Sequence, residues 1–334
     1  MMSVKPLLPI ALLSLAGLTA CGGSEDVQVS AQTAVFSFGV SDAPVTEAAK
    51  VVVCFSGIEL VGNGLQPQRF TLGSSQFTSE ANDLCRTASG AVIPNTRGID
   101  LLTLQGANSE ALIRSAVVPA GQYGQLRLDI AEGSYVERLD GSRRSLSVPS
   151  NQLRLNGPVL SAGGNFNYTL EFDLRKALVD ANPAGVSTPI NQNYLLKPTG
   201  LRLVDNSQVG HLQGDVAESF LLDNQCPVNP ADDRAAVAAV YLYDGASRPL
   251  ADLSDNGGNK LYQPYASTAV FFKNDETRYH YSIGFVEAGS YTVAITCDLD
   301  DQPEAADDIV FITSKNITIE ARQQPYQLDF AQGD

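Results

Sequence analysis

The sequence contains no tryptophan and only two histidines, His211 and His280. Five cysteines are present, and none is spaced C-x-x-C, which argues against a structural zinc site. There is no G-x-S-x-G nucleophile elbow, no phosphate-binding glycine loop and no H-E-x-x-H helix. Basic residues are few: Lys and Arg total 22 against 37 Asp and Glu, for a net charge of −15. Binding nucleic acid through its phosphates needs a basic patch, so that partner is excluded. The same deficit argues against lying flat on an anionic membrane. No apolar run reaches the roughly 20 residues needed to span a bilayer as a helix.

The chain opens with a short positive start at Lys5 and an apolar run from Leu7 to Leu18. This is too short to span and has the plan of a secretory signal peptide over residues 1–20. The run closes on Leu18-Thr19-Ala20-Cys21. That tetrapeptide resembles the bacterial lipobox, whose cysteine thiol receives a diacylglycerol before the chain is cut just ahead of it and the new amine is acylated. The resemblance implies that Cys21 carries the lipid and attaches the protein to a membrane. Gly22 follows in place of the Asp that commonly retains Gram-negative lipoproteins in the inner membrane, so the outer membrane is the expected location. Residues 21–33 are polar and aperiodic and read as a flexible tether. Four cysteines remain, Cys54, Cys85, Cys226 and Cys297, and four allow three pairings. Their spacing suggests two local pairs, Cys54 with Cys85 and Cys226 with Cys297, in an oxidising compartment.

From Ala34 onward, short Val-, Ile-, Leu-, Phe- and Tyr-rich segments alternate with Gly, Pro, Asn and Asp, the pattern of an all-β protein. Strands are expected at Val35–Val40, Val51–Leu60, Ile99–Leu104, Gln125–Ile130, Asn167–Leu174 and Leu201–Val204. Leu126, Leu128 and Ile130 alternate with Arg127 and Asp129, so one face is read as buried and one as wet. Ser109–Ser115 and Leu174–Asp180 read as a turn or two of helix. A composition change near Asp205–Gly210 separates a second strand series at His211–Ala217, Ala236–Gly245, Thr268–Phe272, Tyr279–Phe285, Ser290–Leu299 and Asp308–Thr313. "NITIE" and "YQLDF" close that series. The expected architecture is two β-sandwich-like domains, 34–205 and 210–334. An internal echo links Pro119–Ile130 with Glu287–Leu299: a Gly turn and a Tyr lead into an alternating strand in each.

Six segments occur in order in the first half: "SDAP" at Ser41–Pro44, "IDLLTL", "VPAGQYGQLRL" at Val118–Leu128, "VPS" at Val148–Ser150, "EFDLRKAL" at Glu171–Leu178 and "YLLKPTGLRL" at Tyr194–Leu203. In this order they resemble the bacterial domain of unknown function family 4382, over residues 34–205. The departures are Ser41 where Thr is usual and Ala177 where Ser is common. The resemblance implies a lipoprotein module, often followed by another β-domain, and carries no activity. The second half is similar to transthyretin-like domains of the carboxypeptidase regulatory type, through "HLQGDV", "VYLYDG" and "EAGSYTVAI".

Asp42, Asp100, Asp173 and Lys197 fall at motif positions beside apolar strand residues and make a candidate polar site. Asp173 or Asp100 is a candidate ion-pair partner of Lys197, and Asp42 a candidate turn cap. Calcium takes six to eight oxygen ligands from flexible loops. Asp298, Asp300, Asp301, Asp307 and Asp308, with Glu304, crowd one acidic stretch, and Asp252, Asp255 and Asn256 another. Neither fits the EF-hand pattern, and charge runs are usually solvated. Calcium is therefore the one cofactor the sequence allows, and otherwise none is expected. The histidines read as structural. Tyr262, Tyr265, Phe271 and Tyr279 cluster in sequence as a candidate aromatic platform.

The expectation is a non-enzymatic, outer-membrane-anchored binding or scaffold protein, with an envelope protein or a glycan as partner. A carbohydrate- or surface-binding adhesion module is the alternative. A hydrolase is the second alternative, and it would need a concave site joining a histidine, a carboxylate and a serine.

Overall fold

Alternating apolar and polar residues become strands almost everywhere they occur. A computed structural model describes residues 32–43, 48–181, 193–299 and 309–334. The signal segment, Cys21, Asp300, Asp301, Glu304, Asp307 and Asp308 lie outside the described residues. In chain order the strands are β1 (Thr33–Ala43), β2 (Ala48–Gly62), β3 (Gln68–Thr71), β4 (Arg97–Asp100), β5 (Glu110–Pro119), β6 (Gly121–Ile130) and β7 (Tyr135–Arg138). Then come β8 (Arg143–Ser147), β9 (Gln152–Asn156), β10 (Val159–Leu160), β11 (Asn165–Asp173), β12 (Leu178–Asp180), β13 (Tyr194–Leu196) and β14 (Leu201–Asp205). The rest are β15 (Val209–Val216), β16 (Ala236–Asp244), β17 (Ala266–Lys273), β18 (Arg278–Glu287), β19 (Gly289–Thr296), β20 (Thr313–Ile319) and β21 (Tyr326–Gln327). Two short helices are described, α1 (Leu174–Ala177) and α2 (Glu218–Asp223).

The fold is all-β. A four-stranded sheet runs β14-β11-β1-β5, and a larger one runs β10-β6-β2-β7-β8-β13-β12, with β3, β4 and β9 paired at its side. Phe36, Phe38 and Val40 of β1 and Leu170 and Phe172 of β11 join Val53, Phe55, Leu126 and Leu128 in one core between these two sheets. β15 to β21 form a third, seven-stranded sheet in the order β20-β19-β16-β17-β18-β15-β21. This second half is one sheet rather than two; its strands share one core, and Ala239, Tyr241, Tyr243 and Ala294 on its other face pack in a smaller cluster with Leu253, Ile309 and Phe311. The sheet curls until β20 approaches the far edge: Lys315 Nζ donates to Asp329 O at 2.7 Å, just beyond β21. Phe220 of α2 and Phe330 fill that core. Residues Gln32–Asp334 form one compact unit.

Disulfides join Cys54 to Cys85 and Cys226 to Cys297. Four local readings change, the first being Asp308–Thr313, whose described residues 309–312 lie outside any strand before β20 begins at Thr313. Ser109–Ser115 is not helical, because Glu110–Pro119 is β5, paired with β1. Leu174–Asp180 makes one helical turn and then β12. "IDLLTL" is a strand only to Asp100 and then a 3-10 turn over Leu101–Thr103. The internal echo has a shared device: Tyr123 Oη donates to Pro119 O at 2.8 Å and Tyr291 Oη to Glu287 O at 2.7 Å, each four residues back. In each, the hydroxyl is the pin that holds the strand entry to its turn.

Candidate functional site

Two faces of the four-stranded sheet have opposite chemistry. Along β11, Leu170 and Phe172 enter the apolar core, so Thr169, Glu171 and Asp173 project from the other face. Sequence alternation suggests that this second face meets water. All three residues are buried instead, because the third sheet covers them. Across the ladder Glu171 lies between Ser41 of β1 and Arg202 of β14.

A seam of polar contacts joins this face to the third sheet. Asp173 accepts hydrogen bonds from Ser267 N at 3.0 Å and Ser267 Oγ at 3.4 Å. Asn256 Nδ2 donates to the same Ser267 Oγ at 3.1 Å. Arg175 Nη2 donates to Tyr241 Oη at 2.9 Å, and Lys176 Nζ to Pro264 O at 3.4 Å. Arg202 Nη1 donates to Tyr265 O at 2.7 Å while its guanidinium lies 4.5 Å from the Tyr265 ring centroid. Such contacts satisfy charged groups that would otherwise be costly to bury. Loss of water drives the Glu171 carboxyl up to about 8, against the pull of Arg202. The same burial raises Asp173, with Arg202 and Lys176 opposing it.

Beside the seam lies an open cleft of about 780 Å³. One wall is the 102–108 segment, and the other is the β17–β18 hairpin. Ser41 Oγ fixes the first wall by donating to Asn108 O at 2.6 Å and Leu104 O at 3.2 Å. Asp42 N donates to Leu104 O at 3.2 Å, and Asp42 pairs with Gln105 in an isolated bridge. The walls meet at Gly284, where an added Cβ would fall 1.9 Å from Gly106 O. On the hairpin wall, His280 Nδ1 lies 2.9 Å from Asp215 Oδ1, and Arg278 Nη1 reaches Asp215 Oδ2 at 2.5 Å. Burial lowers the His280 pKa against the pull of Asp215, so a neutral ring donating from Nδ1 keeps Nε2 as an acceptor.

This arrangement sorts the sequence candidates. Asp100 accepts from Val51 N at 3.1 Å, and burial raises its pKa. Neither Asp100 nor Asp173 forms an ion pair with Lys197, whose backbone N–H donates to Ala177 O at 2.7 Å. Strand alternation turns Asp42 toward the Phe38 and Val40 side and Asp173 toward the opposite one, so they share no site. Among the described residues, no group of three His, Cys, Asp or Glu is placed to hold a metal. Of the five calcium candidates only Asp298 is described, and its N–H donates to Thr296 Oγ1 at 3.0 Å. Asp255 and Asn256 are buried, not a solvated loop. His211 is structural: its Nδ1 accepts from Phe285 N at 3.2 Å and its ring stands edge-on to Phe285.

The four candidate aromatics do not form one platform. Tyr279 is in the curled-sheet core, Tyr265 packs beside it against Tyr291, Tyr262 lies under Arg248, and Phe271 lines the cleft. Glu171, Arg175, Arg202, Tyr241 and Ser267 are site residues missed by sequence reading. For Glu171 the signal was available, an acid alternating with Phe172 within a motif.

The family model described as "Domain of unknown function (DUF4382)" matches residues 33–198. The first half of the chain is a DUF4382 domain. Its motifs now have positions: Ser41 and Asp42 of "SDAP" hold the cleft wall to which "IDLLTL" supplies Leu102 and Thr103, and "EFDLRKAL" supplies Glu171, Asp173, Arg175 and Lys176 to the seam. No curated protein matches the chain. Among solved structures, a leucine-rich repeat protein from Bacteroides thetaiotaomicron is similar at 12% identity with a TM-score of 0.18. That match covers 90% of this chain and 26% of the other, and it carries no argument about this DUF4382 protein.

Proposed function

We propose that this protein is a non-enzymatic binding or scaffold lipoprotein of the bacterial outer membrane. It is held by lipid on Cys21 and presents the cleft between the DUF4382 domain and the curled sheet. The observation that carries this reading is the cleft itself, a solvent-open concavity whose two walls come from the two halves of the chain. Ligand sites commonly occur where two structural units meet. The signal-like segment ending in Leu18-Thr19-Ala20-Cys21 supports the anchor. The cleft also brings His280, its partner Asp215 and Ser282 to one wall, the set a Ser-His hydrolase would need. The non-enzymatic reading rests on their connection: His211 is occupied by Phe285 N, and among the described residues no hydroxyl or thiol is hydrogen-bonded to either ring. A hydrolase of the Ser-His type would need such a nucleophile.

Two experiments test the reading. Cys21→Ser should move the protein from the membrane fraction to the soluble fraction without changing its disulfides. A photo-crosslinking residue at position 103, an exposed position on the cleft wall, in the tagged lipoprotein in native membranes, should capture a defined adduct that the same residue at exposed position 154 does not. Retention of the Cys21→Ser protein in membranes defeats the anchor. Absence of a cleft-specific adduct defeats the binding role.

A further inference from the structure

The cleft has a chemical bias that the overall charge of the chain does not suggest. In a protein of net charge −15, the charged residues lining the cleft balance: Arg234 and Lys273 against Asp233 and Asp275. Several charges at the rim are also taken up locally. Lys273 pairs with Glu276 at 3.3 Å, and Arg278 reaches both Asp215 and Glu276. The cleft therefore carries no net charge to select an ion of either sign.

The neutral groups are dominated by side-chain amides. Gln105 Nε2 donates to Leu102 O at 3.1 Å, Asn108 Nδ2 to Gln105 O at 3.0 Å, and Asn274 Nδ2 to Asp233 Oδ2 at 3.0 Å. Each side-chain amide is held by one N–H, Gln105 and Asn108 within their own loop and Asn274 on Asp233, and keeps its second N–H; among the described residues none of the three amide oxygens receives a hydrogen bond. His280 adds Nε2, since Asp215 takes Nδ1. The Phe271 ring, half-buried on β17, supplies an apolar surface in the same cleft. Three side-chain amides that can each donate and accept, and a neutral imidazole nitrogen, beside one ring suit a ligand with many neutral hydroxyls and a weakly apolar face. Balanced lining charges favour neither a polyanion nor a polycation.

We propose that the cleft binds a neutral, hydroxyl-rich saccharide. Its O–H groups donate to Gln105, Asn108, Asn274 and His280, and one sugar face lies on Phe271. This rests on the reading of the protein as a binding module, and it names the ligand class.

The test uses the full-length lipoprotein in a detergent without a sugar headgroup. Calorimetry is run against neutral gluco-, xylo-, manno- and N-acetylglucosamine hexamers, with a galacturonic acid hexamer, a lysine hexamer and a glutamate hexamer as charged comparisons. At least one neutral hexamer should bind, with an affinity that barely changes from low to high salt. Phe271→Ala should weaken it about tenfold or more while the melting temperature is kept. Asn274→Ala and Gln105→Ala should each weaken it several-fold. Neutral binding that Phe271→Ala leaves intact overturns the assignment to this cleft. Binding of a charged hexamer alone, lost in Phe271→Ala, overturns the assignment to a neutral saccharide and leaves the binding role standing. No binding by any probe also overturns the saccharide proposal, and the cleft-specific crosslink then decides the binding role independently.

Discussion

Glu171 shows how one side chain makes stability depend on pH. Its carboxyl is buried without water, which pushes its pKa from an ordinary 4.5 up to about 8. The folded chain therefore keeps a proton that the unfolded chain releases near 4.5. Folding is unaffected by this group below that pH and is progressively destabilised as pH rises toward 8, by up to about 1.4 kcal/mol per pH unit. Asp173 is shifted in the same direction by the same cause. The two histidines have the opposite sign. Burial lowers both, so they cost stability only as pH falls below about 6.5. Urea unfolding at pH 7 and pH 8.5 should thus show a loss of stability on going up. Glu171→Gln should flatten that slope and raise the midpoint at pH 8.5. An equal slope in wild type and variant would mean that the carboxyl is not buried as described.

At the scale of elements, the contact of β18 with the 102–108 wall turns on one missing atom. Gly284 has no side chain, and Gly106 O occupies the space a Cβ would need, at 1.9 Å. Backbone cannot swing aside as a flexible side chain can, so Gly284→Ala should force the walls apart and cost on the order of 1–3 kcal/mol. Thermal melting checks the stability, and amide exchange should show the 102–108 segment losing protection. A melting temperature within a degree of wild type would contradict this close approach.

The strands themselves were legible in the residues: Leu126, Leu128 and Ile130 mark β6, and Leu170 and Phe172 mark β11, because a period of two needs no tertiary information. What covers the polar face of β11 was not legible. Alternation separates two faces but is silent about a second sheet lying on the wet one. Asp173 was therefore noticed as a motif acid but assigned to Lys197 rather than Ser267. Ser109–Ser115 was misread for a related reason. Its short pattern has no strong period, and pairing with β1 decided the outcome.

At the scale of the molecule, two apolar cores are separated by a polar seam. The first is enclosed by the two sheets of residues 33–205, the second by the curled sheet. Each half has its own disulfide, closing sequence separations of 31 and 71 residues. In the chain-entropy model each bridge stabilises by about 4 kcal/mol. Reducing either should thus lower the melting temperature by a similar amount. The seam behaves differently because its contacts link the two cores rather than stabilising one of them. Asp173 is the acceptor for a buried amide, Ser267 N, and Arg175 meets Tyr241 across the same boundary. Removing a partner from a buried donor costs about 1–3 kcal/mol, more where charge is involved. Asp173→Ala with Arg175→Ala should leave both cores and both disulfides intact while weakening what makes them unfold together. Calorimetry should then resolve two transitions where the wild type, with its seam complete, gives one. If the double variant still unfolds in a single transition, shifted but undivided, the cores are coupled by contacts other than the seam. In that case the buried charges of "EFDLRKAL" contribute to stability without setting the cooperativity of the whole.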